Sequence, residues 1–513
     1  MTPQNSKARI LLFQPWNYHD ELKENYDPSK SWRNGPFNIA LLATVLNNHS
    51  HKAKIVDLEP YLLKLKGDVE ATLDYAERQL LDFKPDIVGV TFFSVHYIEV
   101  EKLMQRLRNA ADRHGLDTIF VAGGIHASIA PQSCVDDLMF DYAFIGEAET
   151  GLLQLAEGHD PLTVQGVYNK SNLPKHSSSN SQNGSLLYKK AQFMGNLDDL
   201  PFVDWGLLDF KFYSHPSSAR LGFQSIGSLD LEMGRGCVYK CSFCAYNALS
   251  GVRFHSAEYI VENMVYNFQN FGVTGFYFTE STIGNNRKII REMCEILIER
   301  QLNRKFVWLG NIRSNQVSEK DLRLMWRAGC RYLFYGFESN SQRVLDAMQK
   351  QCSVEANEKA AELHNRLYFP YHASMLFGFP GETVDDVRQS IDFLARHKPP
   401  SIGINSYVPL PGSPDYDNLL KKGIINHDGP EVWRSIGEVN PNICYANMPP
   451  SVFHELYKIA CKLAYDVLPR QVRSDWQKQY ALKTSQIDIC EPTPVFRNIY
   501  SHIPPGHSEP NSL

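Results

Sequence analysis

At 513 residues the chain is too long for one ordinary hydrophobic core, and two or three domains are expected. Its composition, 43% hydrophobic and 21% charged, is that of a soluble globular protein, and a net charge of −5 argues against a nucleic-acid partner, which asks for a basic footprint. No run of about 18 apolar residues occurs and Met1 to Ser6 lacks the basic and apolar regions of a secretion signal, so no membrane span and a cytoplasmic setting are expected.

Residues 7–155 read as a first domain. Arg9 to Phe13 is an apolar strand ended by Pro15, and Asn38 to Leu46 a helix. Lys54 to Leu58, Asp86 to Thr91, Thr118 to Gly124 and Tyr142 to Ile145 continue as strands, with helices over 68–83 and 97–113. Five strands alternating with helices predict an α/β fold, a doubly wound parallel sheet. Ligands of such sheets bind beyond the carboxyl ends of the strands, where the strand order reverses. Trp16, Asp57, Thr91, Ser94, Gly123, Gly124, Gly146 and Glu147 fall at those ends, and the paired glycines let a bulky ligand approach the backbone.

Residues 156–227 read as a linker. Short strands at 166–169 and 185–189 flank the polar stretch 172–184, which is expected to be a mobile loop. Leu200 to Leu208 is expected to drape over the surface without a catalytic part.

Ten cysteines without a secretion signal read as reduced thiols or metal ligands, and three of them fall together. Cys237, Cys241 and Cys244 follow the alternating run Leu229 to Met233, in a glycine-flanked loop with Phe243 before the last. Three thiolates can hold three irons of a cubane 4Fe-4S cluster and leave the fourth iron open. The alternatives are three cysteines met by chance, or a zinc site lacking one ligand. Cys294, Cys330 and Cys461 sit in apolar helical contexts and read as small buried hydrophobes.

Cys237-x3-Cys241-x2-Cys244 with Phe243 resembles the signature of the radical S-adenosylmethionine enzymes. The resemblance implies an open iron that chelates the amino and carboxylate groups of S-adenosylmethionine. One electron, from a donor such as flavodoxin or ferredoxin, then cleaves the sulfonium to a 5′-deoxyadenosyl radical.

After the cysteines, strands at 274–279, 305–309, 331–335, 371–376 and 401–407 alternate with helices. With the strand before Cys237 they make six β/α units, a partial TIM-like barrel over 228–412 with its site at the C-terminal mouth. Thr279, Glu280 and Ser281 follow the second strand, where the family binds the methionine amino group. Arg313 follows the third and can pair with the methionine carboxylate. Glu338 and Ser339 follow the fourth, where ribose and methionine contacts fall in the family, and Gly378 opens a stretch similar to its adenine-contacting segment. Each of these also reads as an ordinary turn or helix cap. Residues 413–513 form a C-terminal extension, with a helix over 452–467 expected to pack across the barrel mouth and a disordered tail from about 500.

The order of the two domains is similar to the cobalamin-binding subclass of this family, whose first domain is flavodoxin-like. Val121 to Ser128 and Ile145 to Glu149 look like that subclass's stretches after the fourth and fifth strands. An Asp-x-His-x-x-Gly motif for an axial histidine is missing, and His96 and His126 read as hydrogen-bonded scaffold. The resemblance implies cobalamin among the ligands of Trp16, Thr91, Ser94, Gly123, Gly124, Gly146 and Glu147. It also implies a mechanism: one S-adenosylmethionine methylates cob(I)alamin, a second yields the radical, and an unactivated carbon of a small-molecule substrate loses hydrogen and takes the methyl group. Alternatives are a cyclisation or rearrangement on the same cofactors, or a first domain that no longer binds cobalamin. A methylthiotransferase needs a second cluster, for which the first domain has only Cys134.

Overall fold

The apolar runs of the N-terminal region form β1, Arg9–Gln14; β2, Lys52–Asp57; β3, Ile87–Thr91; β4, Ile119–Gly123; and β5, Tyr142–Phe144, in a computed structural model of the chain. The structure describes residues 7–16, 35–172, 195–213, 228–248, 251–425, 433–434 and 444–467. The polar stretch from 173, the strand expected at 185–189 and the tail beyond 467 lie outside them.

The five strands pair in parallel in the order β2-β1-β3-β4-β5, so the order reverses between β1 and β3. Alternate residues serve two cores: Leu11, Phe13, Val88 and Phe120 on one face, Ile10, Leu12, Ile87 and Val121 on the other. A sheet buried on both faces reads as continuous apolar runs, which is why these strands are legible. A sixth strand, β6, Val167–Tyr168, pairs antiparallel with β5. Two residues are too few to show a period, so the sequence leaves them in the linker.

The stretch Leu200 to Leu208 does not drape over the surface. Trp205 is 1% exposed, its ring against Phe37, and the Asp204 amide donates to Thr44 Oγ1 at 3.0 Å. Its large apolar side chains decide the outcome, since burying each is worth about 1.5–3 kcal/mol.

The second region holds β7, Ser228–Leu231; β8, Gly234–Arg235; β9, Arg253–Phe254; β10, Gly275–Phe278; β11, Val307–Ile312; β12, Cys330–Glu338; β13, Tyr371–Phe377; and β14, Ser401–Ser406. β7, β10 and β11 are neighbours in parallel register, as are β13 and β14, while β8 and β9 form a short antiparallel pair. Helices Ala257–Phe271, Arg287–Glu299, Glu319–Arg327, Val354–Leu367 and Val384–His397 alternate with the long strands and Pro414–Lys421 follows the last, giving the six expected β/α units in chain order. Their starts carry local signals: Ser256, Ser318 and Ser353 cap with their side chains, and Thr383 and Asp386 cap reciprocally.

The chain divides into two compact units, Met1–Leu333 with Met348–Gln351 and Val408–Val439, and Phe334–Ala347 with Cys352–Tyr407 and Asn440–Leu513. The division falls within β12. In the second unit the helix Pro450–Asp466 packs on β14 and on Val384–His397, with Tyr457 donating to the Ile404 carbonyl at 3.2 Å. Cys294, Cys330 and Cys461 are buried as expected.

Candidate active site

β7 buries Leu229 and Leu231 and thereby turns Asp230 and Glu232 to its opposite face, before the chain enters the cysteine loop. The β8–β9 pair forms the base of that loop. A Cβ on Gly234 would lie 2.5 Å from the Arg253 carbonyl oxygen, so the close approach requires glycine. Cys237 and Cys244 are half-buried and Cys241 is buried. Burial, then the neighbouring Cys241 and Cys237, raise the Cys244 thiol above its ordinary pKa against a backbone hydrogen bond at Tyr246. The loop is fastened from a distance: the Ser242 amide donates to the Met348 carbonyl at 2.9 Å, the Ser242 hydroxyl donates to Asp415 Oδ2 at 2.7 Å, and the Asp415 amide donates to the Ser242 carbonyl at 3.0 Å. Lys350 holds its ammonium 5.7 Å from the Phe243 ring centre.

Glu280, after β10, turns its carboxylate back on the loop. Its Oε1 accepts the amides of Met233 and, at 3.0 Å, Gly234, while Oε2 is buried without a partner. Burial outweighs those donors and pushes its pKa up to about 8. Thr279 is half-buried and its hydroxyl reaches the Leu231 carbonyl at 3.4 Å, whereas Ser281 is exposed. Arg313, after β11, is 7% exposed; it stacks 3.7 Å over the Tyr239 ring and donates from Nη1 to Cys241 Sγ at 3.4 Å. Cys237, Cys241, Cys244, Phe243, Thr279, Glu280, Ser281 and Arg313 thus all belong to the first unit.

In the second unit, Glu338 ends β12 in the left-handed region at φ 66°, a conformation rare for a residue with a side chain. Ser339 is fully buried against Ser390 at 3.3 Å. The Gly378 amide donates to Glu382 Oε2 at 2.6 Å, and burial pushes the Glu382 pKa up to about 8.

At the carboxyl ends of the first sheet, the Phe92 amide donates to the Gly123 carbonyl and the His126 amide to the Phe92 carbonyl, both at 3.2 Å. Gly124 has φ +89°, and a Cβ there would stand 2.8 Å from the Phe92 backbone and from Thr91 Oγ1. The left-handed φ and this close approach to the chain after β3 both require glycine. Gly146 donates its amide to Ser128 Oγ at 3.0 Å. Trp16 is buried in the core, and Ser94 is buried with its hydroxyl 2.9 Å from His126 Nδ1. His126 is fully buried, its Nε2 2.8 Å from Ser133 Oγ, and desolvation drops its pKa to about 3. Both ring nitrogens are spent on hydroxyls, as the scaffold reading expects; His96 is likewise buried, its Nδ1 3.4 Å from the Phe93 amide.

Glu147 meets the cysteine loop. Arg235, two residues before Cys237, pairs with Glu147 at 2.9 Å, Glu149 at 2.8 Å and Glu232 at 2.9 Å, and Arg253 also pairs with Glu147. His255 adds contacts to Asp198 at 3.1 Å and Glu232 at 3.7 Å. Burial works against these charges, yet the three carboxylates hold the Arg235 pKa above its ordinary value and Arg235 holds Glu232 below its own. Sequence reading missed this cluster. Its available signals were the arginine of Gly234-Arg235-Gly236 and the i, i+2 acids Glu147 and Glu149.

The donor set fits the implied groups. Three thiols with an unmatched guanidinium beside one of them suit an anionic cluster, and a buried carboxylate oxygen without a donor suits an ammonium. Among the described residues no three His, Cys, Asp or Glu side chains converge as a single-ion site.

Comparison with known proteins agrees. Residues 231–394 match the radical SAM superfamily and residues 34–156 the B12 binding domain. The anaerobic magnesium-protoporphyrin IX monomethyl ester cyclase of Rubrivivax gelatinosus is 25% identical over 81% of this chain and 70% of its own. The cytidylyl-2-hydroxyethylphosphonate methyltransferase of Streptomyces wedmorensis is 23% identical over 76% of this chain and 79% of its own. The radical S-adenosylmethionine methyltransferase TsrM of Kitasatospora setae, solved with cobalamin and a [4Fe-4S] cluster, shares the fold with a TM-score of 0.63 at 18% identity, over 83% of this chain and 80% of that one. Among the described residues no helix is long and apolar enough to cross a membrane.

Proposed function

Because the chain belongs to the radical S-adenosylmethionine enzymes that carry a B12-binding domain, with a 4Fe-4S cluster, S-adenosylmethionine and cobalamin as its cofactors, we propose that it methylates an unactivated carbon of a small molecule. The observation that carries the reading is the ion cluster on Arg235: it fastens the end of the cobalamin-type sheet to the base of the cysteine loop, as a reaction that uses both cofactors on one substrate requires. When bound, the cluster and S-adenosylmethionine supply one-electron bond cleavage and cobalamin supplies methyl transfer. Cys237, Cys241 and Cys244 hold the cluster. Glu280 Oε2 receives the methionine ammonium, with Thr279 and Ser281 at the same strand end, and Arg313 pairs with the methionine carboxylate. Glu338, Ser339 and Gly378, in the second unit, are the positions that the family resemblance assigns to the nucleoside end. The backbone at Gly123, Gly124 and Gly146, with Thr91, bears the corrin; Trp16 is buried in the core, Ser94 is engaged by His126 and Glu147 by Arg235 and Arg253, so these three stand outside the direct contacts.

Methyltransferase relatives support methylation, and the cyclase relative supports the second reading, ring closure on the same cofactors. Anaerobic incubation of the cobalamin- and cluster-loaded chain with methyl-labelled S-adenosylmethionine, a low-potential reductant and a small-molecule extract separates the two. Methylation yields a labelled product with S-adenosylhomocysteine and 5′-deoxyadenosine in equal amounts. 5′-Deoxyadenosine without S-adenosylhomocysteine or a labelled product would refute methylation in favour of ring closure.

A further inference from the structure

The two deeply buried arginines of the first unit are treated differently. Arg235 is surrounded by three carboxylates. Arg313, equally buried, pairs with no carboxylate among the described residues, and its Nε and Nη2 have no acceptor. An uncompensated buried charge is unfavourable, so a counter-charge has to arrive with a ligand. The group is held ready for it. The Arg313 amide donates to Gln316 Oε1 at 3.2 Å, Gln316 Nε2 donates to the Tyr239 hydroxyl at 3.3 Å, and the Tyr239 ring carries the guanidinium. Among the described residues the one acceptor its guanidinium reaches is Cys241 Sγ.

We propose that Arg313 is a positioning residue that sets the reduction potential of the cluster. The inference rests on Cys237, Cys241 and Cys244 being the cluster ligands. On reduction the cluster takes one electron from an external low-potential donor protein and gains one negative charge, with no bond made and no proton moved. A fixed cation hydrogen-bonded to a ligating sulfur stabilises the more negative state more, which raises the potential. Arg313 therefore makes the cluster easier to reduce before S-adenosylmethionine binds, a role separate from any contact with that molecule's carboxylate.

The test is an anaerobic potentiometric titration of the reconstituted full chain without S-adenosylmethionine, followed by the electron paramagnetic resonance of the reduced cluster. Arg313→Gln is expected to move the midpoint to more negative potential by at least a tenfold change in the reduction equilibrium, about 59 mV for one electron. Arg313→Lys, which keeps the charge, is expected to recover part of that shift. An Arg313→Gln midpoint equal to the unsubstituted chain or more positive overturns the proposal, even if its KM for S-adenosylmethionine rises. If Arg313→Gln takes up no cluster, the neutral Arg313→Met carries the test: a midpoint more negative by about 59 mV or more supports the proposal and an unchanged midpoint overturns it. An unsubstituted chain that binds no cluster would remove the cluster assignment itself, and the proposal with it.

Discussion

Replacing Arg235 by methionine removes one cation from among three buried carboxylates. Arg253 still touches Glu147, and His255 still stands near Glu232. Glu149 is the group left stranded: its side chain is 9% exposed, Arg235 is its ion partner and its Oε2 has no hydrogen-bond donor. Breaking one side of a buried pair costs about 3–5 kcal/mol. For a domain of this size each kcal/mol moves the melting temperature by about 2–4 °C, so Arg235→Met should lower it by roughly 10 °C. The assay is calorimetry of the cofactor-free protein at low and high salt, and the shift should persist in salt because the pairs are shielded from it. Adding Glu149→Gln to Arg235→Met should recover part of the loss, since the penalty lies in the stranded charge rather than the missing contact. A loss below about 1 kcal/mol for Arg235→Met, or no recovery in the double variant, would refute this account of the cluster.

Other consequences follow from single groups. Cys237→Ala, Cys241→Ala and Cys244→Ala should each abolish S-adenosylmethionine cleavage, read as 5′-deoxyadenosine by chromatography, and full activity in any one would remove the cluster assignment. Gly124→Val should cost about 1–3 kcal/mol in local strain and expel cobalamin while sparing iron, both measured per protein after anaerobic purification. Glu280 holds its proton in the fold up to about pH 8 while the unfolded carboxyl ionises near 4.5, so its contribution is complete below the unfolded value and is lost as pH rises through about 8. Glu280→Gln should accordingly flatten the decline of cofactor-free stability between those limits in urea titrations at stepped pH. His126→Phe should leave the visible spectrum of bound cobalamin unchanged, because both imidazole nitrogens already face hydroxyls; a changed axial-ligand spectrum would count against that.

What was legible in the sequence was what repeats or clusters. The strands of the first sheet show as uninterrupted apolar runs because both faces are buried, and the cysteine loop shows because three thiols fall within eight positions. The missed features were long-range. Arg235 and Glu147 are 88 positions apart in number, and the local signals, an arginine between two glycines and two acids at i, i+2, do not say that they meet each other. The tether was misjudged because Trp205 finds its place against Phe37, on a helix of the first domain. Glu147 reads as a ligand-edge acid and turns out to be paired with arginines, a distinction made only by what folds against it. Asp415 gives no hint in sequence that it will hold Ser242.

That last contact bears on the order of events during synthesis. Cys244 leaves the ribosome 171 residues ahead of Asp415, which at about 5–20 residues per second is an interval of roughly 10–30 s. Throughout it the three thiols sit on a loop that still lacks its Asp415 contact. A chain stalled or truncated before Asp415 presents a cysteine loop that lacks this clasp.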